Sequence, residues 1–395
     1  MVVVTYLLLL LSVSGLAHYC LAVYAGVRFF RGATDPPHAS EGSAHNVPHA
    51  VLPPVSILKP ISGADEETYE NLASFCRQTY PRFEIIFGVQ KEDDSSIPII
   101  ERLARDFPGA NIRYAVCRSA IGTNHKVSNL ATAYERAKYD LLVLSDSDVH
   151  VRADYLTDIA QPFADAKIGV VTCLYRSRAK GMVATFEALG VATESCPIDL
   201  LSRQLEGMRF AMGPTIAIRR PVLESIGGFT TIADYLHDDY LLGNMLFRAG
   251  HEIVLSHHIV DHVMGSETWI DLVHRQTRWA RGTRSVHPLG YLGLVFTYGT
   301  IWSFLFLLTS GGSALGWLVL GAVWAARYSM AWLIGVHYLG DEIARKWLPI
   351  VPLRDLMGFT FWVYGFAGDT IVWRGRCMRL LRGGKLAQGW TRPNA

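Results

Sequence analysis

Leu141-Leu142-Val143-Leu144-Ser145-Asp146-Ser147-Asp148 runs from four consecutive apolar residues straight into two carboxylates one residue apart. A short apolar run of this kind, closed by turn-forming Ser and Asp, predicts a strand buried on both faces. Working outward, further strands are predicted over Val55 to Lys59, Glu84 to Val89, Ile112 to Val116 and Gly169 to Leu174. Helical patterns lie between them, such as Val127 to Lys138 with Leu130, Ala133, Tyr134 and Ala137 on one face. The alternation predicts an α/β fold, a mainly parallel sheet with flanking helices, whose ligand site lies beyond the carboxyl ends of the strands.

The informative residues do follow the strands. Asp93 and Asp94 come a few residues after the second strand, and Asp146 and Asp148 directly after the fourth. Oxygen donors so spaced suit a hard cation, Mg²⁺ or Mn²⁺, that keeps diphosphate oxygens in its shell; an Asx-type turn ending the strand is the competing role. Asp93 and Asp94 offer carboxylates to a nucleobase or ribose, or form a solvated loop. Lys126, in Thr123-Asn124-His125-Lys126, opens a helix where a cation and free N–H groups together hold a phosphate. Asp238 and Asp239 also open a helix, Tyr240 to Arg248, where the helix dipole favours carboxylates and simple capping competes with chemistry. Arg275, Arg278 and Trp279 occupy neighbouring positions of another helix; such a group grips a diphosphate while the indole covers a sugar or nucleotide face. His257, His258, Asp261 and His262 are set aside as a zinc site, because Ile253-Val254-Leu255 and Ile259-Val260 read as strand, which holds His258 and His262 apart.

Half of the 395 residues are hydrophobic and 18% are charged. The apolar excess is concentrated before residue 30 and after residue 290, so membrane segments flank a mixed α/β middle. The net charge of +2 with no basic run gives no nucleic-acid signature, and six scattered cysteines without a C-x-x-C pair fit neither a disulfide framework nor zinc. Val2 to Val27 is long enough to span a bilayer, and Arg28 and Arg31 follow it, which orients an uncleaved anchor with its C-terminal side in the cytoplasm. Gly290 to Leu308 and Gly312 to Val336, parted by Thr309-Ser310-Gly311, read as a helical hairpin; the apolar run Leu356 to Ala367, bounded by Asp355 and Asp369, is short for a span and reads as interfacial or re-entrant. The expected organisation is an anchor over 1–31, a linker over 32–54, a cytoplasm-facing catalytic domain over 55–288, a transmembrane hairpin over 289–336, and an interfacial helix with a basic tail over 337–395.

The order Asp93-Asp94, Asp146-Ser147-Asp148, Asp238-Asp239-Tyr240 and Arg275-Gln276-Thr277-Arg278-Trp279, followed by hydrophobic helices, resembles the inverting, processive-type glycosyltransferases of the A fold. Within these the chain is most similar to ceramide glucosyltransferases of family 21, through Ser56-Ile57-Leu58-Lys59-Pro60, Asn124-His125-Lys126-Val127-Ser128-Asn129-Leu130, Ile226-Gly227-Gly228-Phe229 and Trp373-Arg374-Gly375-Arg376. The resemblance implies that Asp94 contacts uridine, Asp146 holds the metal-diphosphate, Asp239 is the catalytic base, Arg278 and Trp279 bind donor and leaving group, and Lys126 adds a diphosphate contact. It implies a UDP-sugar donor, glucose first, and a lipid hydroxyl acceptor such as ceramide. Two positions depart from the animal enzymes, which have histidine at Cys196 and glycine at Asp148. A bacterial hopanoid-associated branch with a UDP-N-acetylglucosamine-type donor is the alternative, ahead of a polysaccharide synthase, which needs more spans, or a non-catalytic membrane scaffold.

Overall fold

The structure, a computed structural model, describes residues 2–32, 52–373 and 375–387. The linker expected over 32–54 falls mostly outside them, as do Arg374 and the tail beyond 387. The chain divides into two compact units that do not follow sequence order: Met1–Thr34, Arg176–Leu205 and Ser266–Ala395 form one, and Asp35–Tyr175 with Glu206–Gly265 the other. The segments 176–205 and 266–288, read from sequence as part of the catalytic domain, thus group with the apolar helices.

The second unit is built on an eight-stranded sheet. Its strands are β1 (Val55–Ile61), β2 (Phe83–Val89), β3 (Asn111–Val116), β4 (Leu141–Leu144), β5 (Val149–His150), β6 (Ile168–Ala179), β7 (Ile216–Arg219) and β8 (Glu252–Met264), in the order β3-β2-β1-β4-β7-β6-β8-β5. The first four are parallel, with Leu58 opposite both Ile86 and Leu144. From β4 onward the pairing turns antiparallel, β4 to β7, β7 to β6 and β5 to β8, so the sheet is mixed. Burial of the adjacent residues Ile57 and Leu58, Ile85 and Ile86, and Val143 and Leu144, which point to opposite faces, explains why the parallel strands read as unbroken apolar runs: both faces are covered. The parallel order β2-β1-β4 sends the chain out at the carboxyl ends of three neighbouring strands, where Asp146 and Asp148 stand.

The first unit packs apolar helices on one another. Among the described residues, Val2–Arg31 and Ala314–Tyr338 are long and apolar enough to cross a membrane; Pro288–Thr297 with Gly299–Thr309 makes a third only if a 52° bend is counted as one broken span. The hairpin expected from sequence therefore has a bent first arm, broken at Tyr298. Its turn is closed by Gly311 and Gly312, both at positive φ, whose N–H groups donate to the Leu308 and Leu307 carbonyls. Val2–Arg31 lies so close to Gly299–Thr309 that a Cβ on Gly15 would sit 2.2 Å from the Gly299 Cα, the backbone contact that small residues permit between apolar helices. The helix Val351–Gly365 starts before the apolar run read from sequence and takes Arg354 and Asp355 into the interior; Asp355 accepts from Arg327 at 2.6 Å and from the Thr300 hydroxyl at 2.6 Å. Asp355 was expected to flank this segment at the membrane surface. Hydropathy counts the charge but does not see its partner.

Candidate functional site

In the sheet unit, four of the sequence-predicted residues converge. The Asn124 side chain accepts from the Val127 N–H and starts the helix His125–Tyr134, which aims Lys126 back over the end of β4. Lys126 Nζ lies 2.8 Å from Asp146 Oδ1 and 3.6 Å from Asp238 Oδ2. Asp238 and Asp239 open the helix Asp238–Arg248. Asp238 Oδ1 accepts from Asn124 Nδ2 at 3.3 Å, so one asparagine positions both helix starts. Asp239 Oδ2 accepts from the Gly213 N–H at 3.0 Å and Oδ1 from the Tyr240 N–H at 2.8 Å. A Cβ on Gly213 would stand 3.0 Å from Asp239 Oδ2, 3.3 Å from Asp146 Oδ2 and 3.5 Å from Lys126 Nζ, which places all three groups around one backbone point.

The electrostatics follow from three carboxylates around one lysine. Partial burial works against the Lys126 charge, but Asp146, Asp238 and Asp239 overcome it and raise its pKa. Burial raises Asp238 to about 6, opposed by Lys126 and reinforced by Asp239 and Asp146. Burial also raises Asp146, against the pull of Lys126. Desolvation alone would raise Asp148 as well; His262, with Nε2 3.4 Å from Asp148 Oδ2, wins and holds it at about 2. Two neighbouring aspartates are thereby shifted in opposite directions, Asp146 by burial and Asp148 by His262.

Sequence reasoning missed two supports of this cluster. Lys59, wholly buried within β1, donates to the Asp146 carbonyl at 2.8 Å and to Ser145 Oγ at 3.3 Å, and its ammonium sits 3.4 Å from the Phe75 ring centre. Burial lowers its pKa to about 7, with Asp146 and Asp148 opposing. The signal was visible as a lysine inside an apolar strand. His262 was set aside with its neighbours; β8 separates it from His258, which instead meets Asp158 at 2.7 Å. Asp154, Asp158 and His258 bring ligand atoms within 4.8 Å of one another, but Arg152 already pairs with both aspartates.

Asp93 is exposed, and Asp94 is tied down elsewhere: its carboxylate accepts from the Gly63 N–H at 2.9 Å and from the Ser96 N–H and hydroxyl at 2.9 and 2.7 Å. It fixes the loop after β1 to the loop after β2. In the helical unit, Arg275, Arg278 and Trp279 lie on the helix Trp269–Val286, started by a capping box between Thr268 and Asp271. Arg275 pairs with Glu267 and, at 3.3 Å, with Glu187, so it is committed to two carboxylates. Arg278 lies 5.7 Å from the Trp373 ring centre. Trp279 lines a cavity with Gln276, Tyr291 and Trp362.

Asp146 and Asp148 fit a hard divalent ion: both are oxygen donors, and Asp148 Oδ1 is buried with no hydrogen-bond partner among the described residues.

The family model described as Glycosyl transferase family 21 matches residues 7–386. The chain is 30% identical over 236 residues to a protein named ceramide glucosyltransferase 1 from Caenorhabditis elegans, covering 59% of this chain and 50% of that protein. It is 26% identical over 346 residues to ceramide glucosyltransferase 3 of the same organism, covering 85% and 74%. A ceramide glucosyltransferase from Komagataella phaffii is 42% identical over 101 residues, 25% of this chain and 20% of that protein. The chain thus spans half the length of the first of these relatives. Among solved structures, a mannosyltransferase from Pyrobaculum calidifontis in complex with GDP-Man and Mn²⁺ aligns at a TM-score of 0.48 and 15% identity, over 90% of this chain and 99% of that one. The mixed sheet with flanking helices is the arrangement that the A-fold resemblance implied.

Proposed function

We propose, for a chain that belongs to glycosyl transferase family 21, that it transfers glucose from UDP-glucose to the hydroxyl of a ceramide-like lipid, with inversion, at the cytoplasmic face of a membrane. The observation that carries this reading is the meeting of Lys126, Asp146, Asp238 and Asp239 around Gly213 at the carboxyl end of the parallel strands. Asp239 acts as the base. Its two oxygens each accept one backbone N–H, which fixes the carboxylate and leaves lone pairs to take the acceptor hydroxyl proton. Lys126 holds the Asp146 carboxylate at rest and, with donor bound, shares its charge with the diphosphate, a contact for which it stands ready at the start of a helix. Lys59 positions the turn through the Asp146 carbonyl. Asp146 and Asp148 would hold Mg²⁺ or Mn²⁺, which when bound supplies charge neutralisation for the departing UDP. The family resemblance alone assigns Arg278 and Trp279 to the leaving group and the donor's face; within the helical unit Arg275 braces their helix through Glu187 and Glu267. Asp94 shapes the uridine pocket by joining the two loops, with Asp93 exposed beside it.

A second reading has its own observation. Cys196 and Asp148 stand where the animal enzymes have histidine and glycine, which favours a different donor, of the UDP-N-acetylglucosamine type, with a hopanoid-like acceptor. A polysaccharide synthase or a non-catalytic scaffold fits less well, since spans are few among the described residues and the metal and base positions are filled. The test is UDP release by membranes containing the chain, from a panel of UDP-sugars with and without ceramide, diacylglycerol and hopanoid acceptors. Ceramide-dependent release from UDP-glucose supports the first reading; release dependent on UDP-N-acetylglucosamine and hopanoid supports the second; release from none refutes both.

A further inference from the structure

The helix Trp269–Val286 carries four arginines three residues apart, Arg275, Arg278, Arg281 and Arg284. That spacing sets each beside the next along the helix surface. Arg275 is taken by Glu187 and Glu267, but the other three all reach one segment of the same unit, Tyr364 to Trp373. Arg284 donates to the Phe366 carbonyl at 2.7 Å and to the Gly368 carbonyl at 2.6 Å. Arg281 donates to the Thr370 carbonyl and lies 5.0 Å from the Tyr364 ring centre. Arg278 lies over the Trp373 ring, 5.7 Å from its centre.

This segment is a strap, closed on itself as well as on the helix. The strands Thr370–Trp373 and Arg376–Arg379 pair antiparallel, with Trp373 opposite Arg376 and Ile371 opposite Met378. Ile371 and Met378 are both buried, so the cross-strand pair anchors the hairpin by its apolar side chains. Asp369 holds the open end: its carbonyl accepts from the Leu380 N–H at 2.7 Å, and its carboxylate from Arg379 Nε at 2.7 Å. Beyond the hairpin, a Cβ on Gly384 would come within 2.5 Å of Val286 Cγ2, so the returning backbone lies directly on the end of the helix. Trp373 therefore meets Arg278 from a strand that is already fixed.

Trp373-Arg374-Gly375-Arg376 is one of the motifs that carry the family resemblance, and the chemistry assigned to the site gives it no part. A ring face within about 6 Å attracts a guanidinium, that of tryptophan most strongly. It steadies the guanidinium plane without adding a negative charge that would compete with a diphosphate. We propose that Trp373 is a positioning residue for Arg278: the strap lays the indole on the guanidinium and holds it in the orientation that receives the diphosphate of the leaving nucleotide. The proposal rests on the role of Arg278 that the resemblance implies, and adds the residue that orients it.

The test is UDP binding to the full chain in phosphatidylcholine nanodiscs with Mg²⁺, measured by calorimetry beside the melting temperature. Arg278→Gln should weaken UDP about tenfold or more, the scale of a lost charge-assisted hydrogen bond. Trp373→Leu should weaken it about fivefold, the scale of one half-buried contact between a cation and a ring, and Trp373→Phe should recover most of that loss. Combined with Arg278→Gln, Trp373→Leu should add nothing further, because the indole then has no guanidinium to orient. A merely structural role would lower the melting temperature and weaken UDP by the same factor in both backgrounds. Should Trp373→Leu fail to fold, Arg284→Gln decides: it releases the Phe366 and Gly368 carbonyls, leaves Trp373 in place, and should weaken UDP by a smaller factor that also vanishes in the Arg278→Gln background. Wild-type UDP affinity in the folded strap variant, or an equal loss in both backgrounds, would overturn the proposal and leave the role of Arg278 standing. Wild-type affinity in Arg278→Gln would refute that role and the proposal with it.

Discussion

Lys126 Nζ lies 2.8 Å from Asp146 Oδ1, so the lysine that opens the helix His125–Tyr134 neutralises the first aspartate of Asp146-Ser147-Asp148 directly. The same ammonium reaches Asp238 at 3.6 Å. One cation therefore serves two carboxylates, and any change to one partner is felt by the other.

Asp146→Asn should abolish donor turnover, because it keeps the shape but removes the charge a divalent ion needs. Stability should fall little, since Lys126 keeps Asp238 as a partner. Turnover across a Mg²⁺ and Mn²⁺ titration checks this; near-normal activity with an unchanged metal response would remove Asp146 from the site.

Asp238 gives a pH prediction. Its pKa is raised by burial from 3.8 to about 6, so the native state keeps the proton to higher pH than the unfolded chain. The cost to stability grows from about pH 3.8 upward and levels off above about pH 6 at on the order of 3 kcal/mol. The melting temperature of Asp238→Asn relative to wild type should therefore rise between pH 4.5 and pH 7.5. A difference that stays flat, or falls, would contradict the assignment.

Gly15→Leu should destabilise the helical unit by at least about 1–3 kcal/mol, the scale of overpacking a filled contact. A side chain there meets the Gly299 backbone. Gly321→Leu is the matched control, because nothing lies within 4 Å of a Cβ at that position. Thermal stability of the detergent-solubilised chain should separate the two; equal losses would show that the Gly15 contact is absent.

The cytoplasmic orientation is testable at Cys377, partly exposed in the strand Arg376–Arg379. A membrane-impermeant maleimide added to intact cells should leave Cys377 unmodified, and permeabilisation should admit the reagent. Modification before permeabilisation would invert the topology.

Much of the site could be read from the chain because it obeys short-range rules. Asp146 and Asp148 directly end a buried strand, and Lys126 and Asp239 open helices, so position along the sequence already fixed where they would stand. What escaped depends on partners far along the chain. In the sequence Lys59 is one residue of a strand motif; only the fold brings Asp146 and Phe75 around it. His262 becomes a neighbour of Asp148 only because β8 pairs with β5. Asp355 read as a flank because hydropathy cannot anticipate Arg327, 28 residues away. The antiparallel half of the sheet hid for a related reason: β7 is four residues long and its pairing with β4 is non-local.

The central claim is that Asp239 is the base. Simple capping is the competing role, and Asn caps a helix about as well as Asp. The decisive measurement is turnover of Asp239→Asn beside UDP binding and melting temperature on the same membrane preparation. Positioned proton transfer is worth about 10²- to 10⁴-fold, so kcat should fall at least about a hundredfold while UDP affinity and folding change little. Retention of more than about a tenth of wild-type kcat, too much for a lost general base, would contradict the account and pass the role to Asp238.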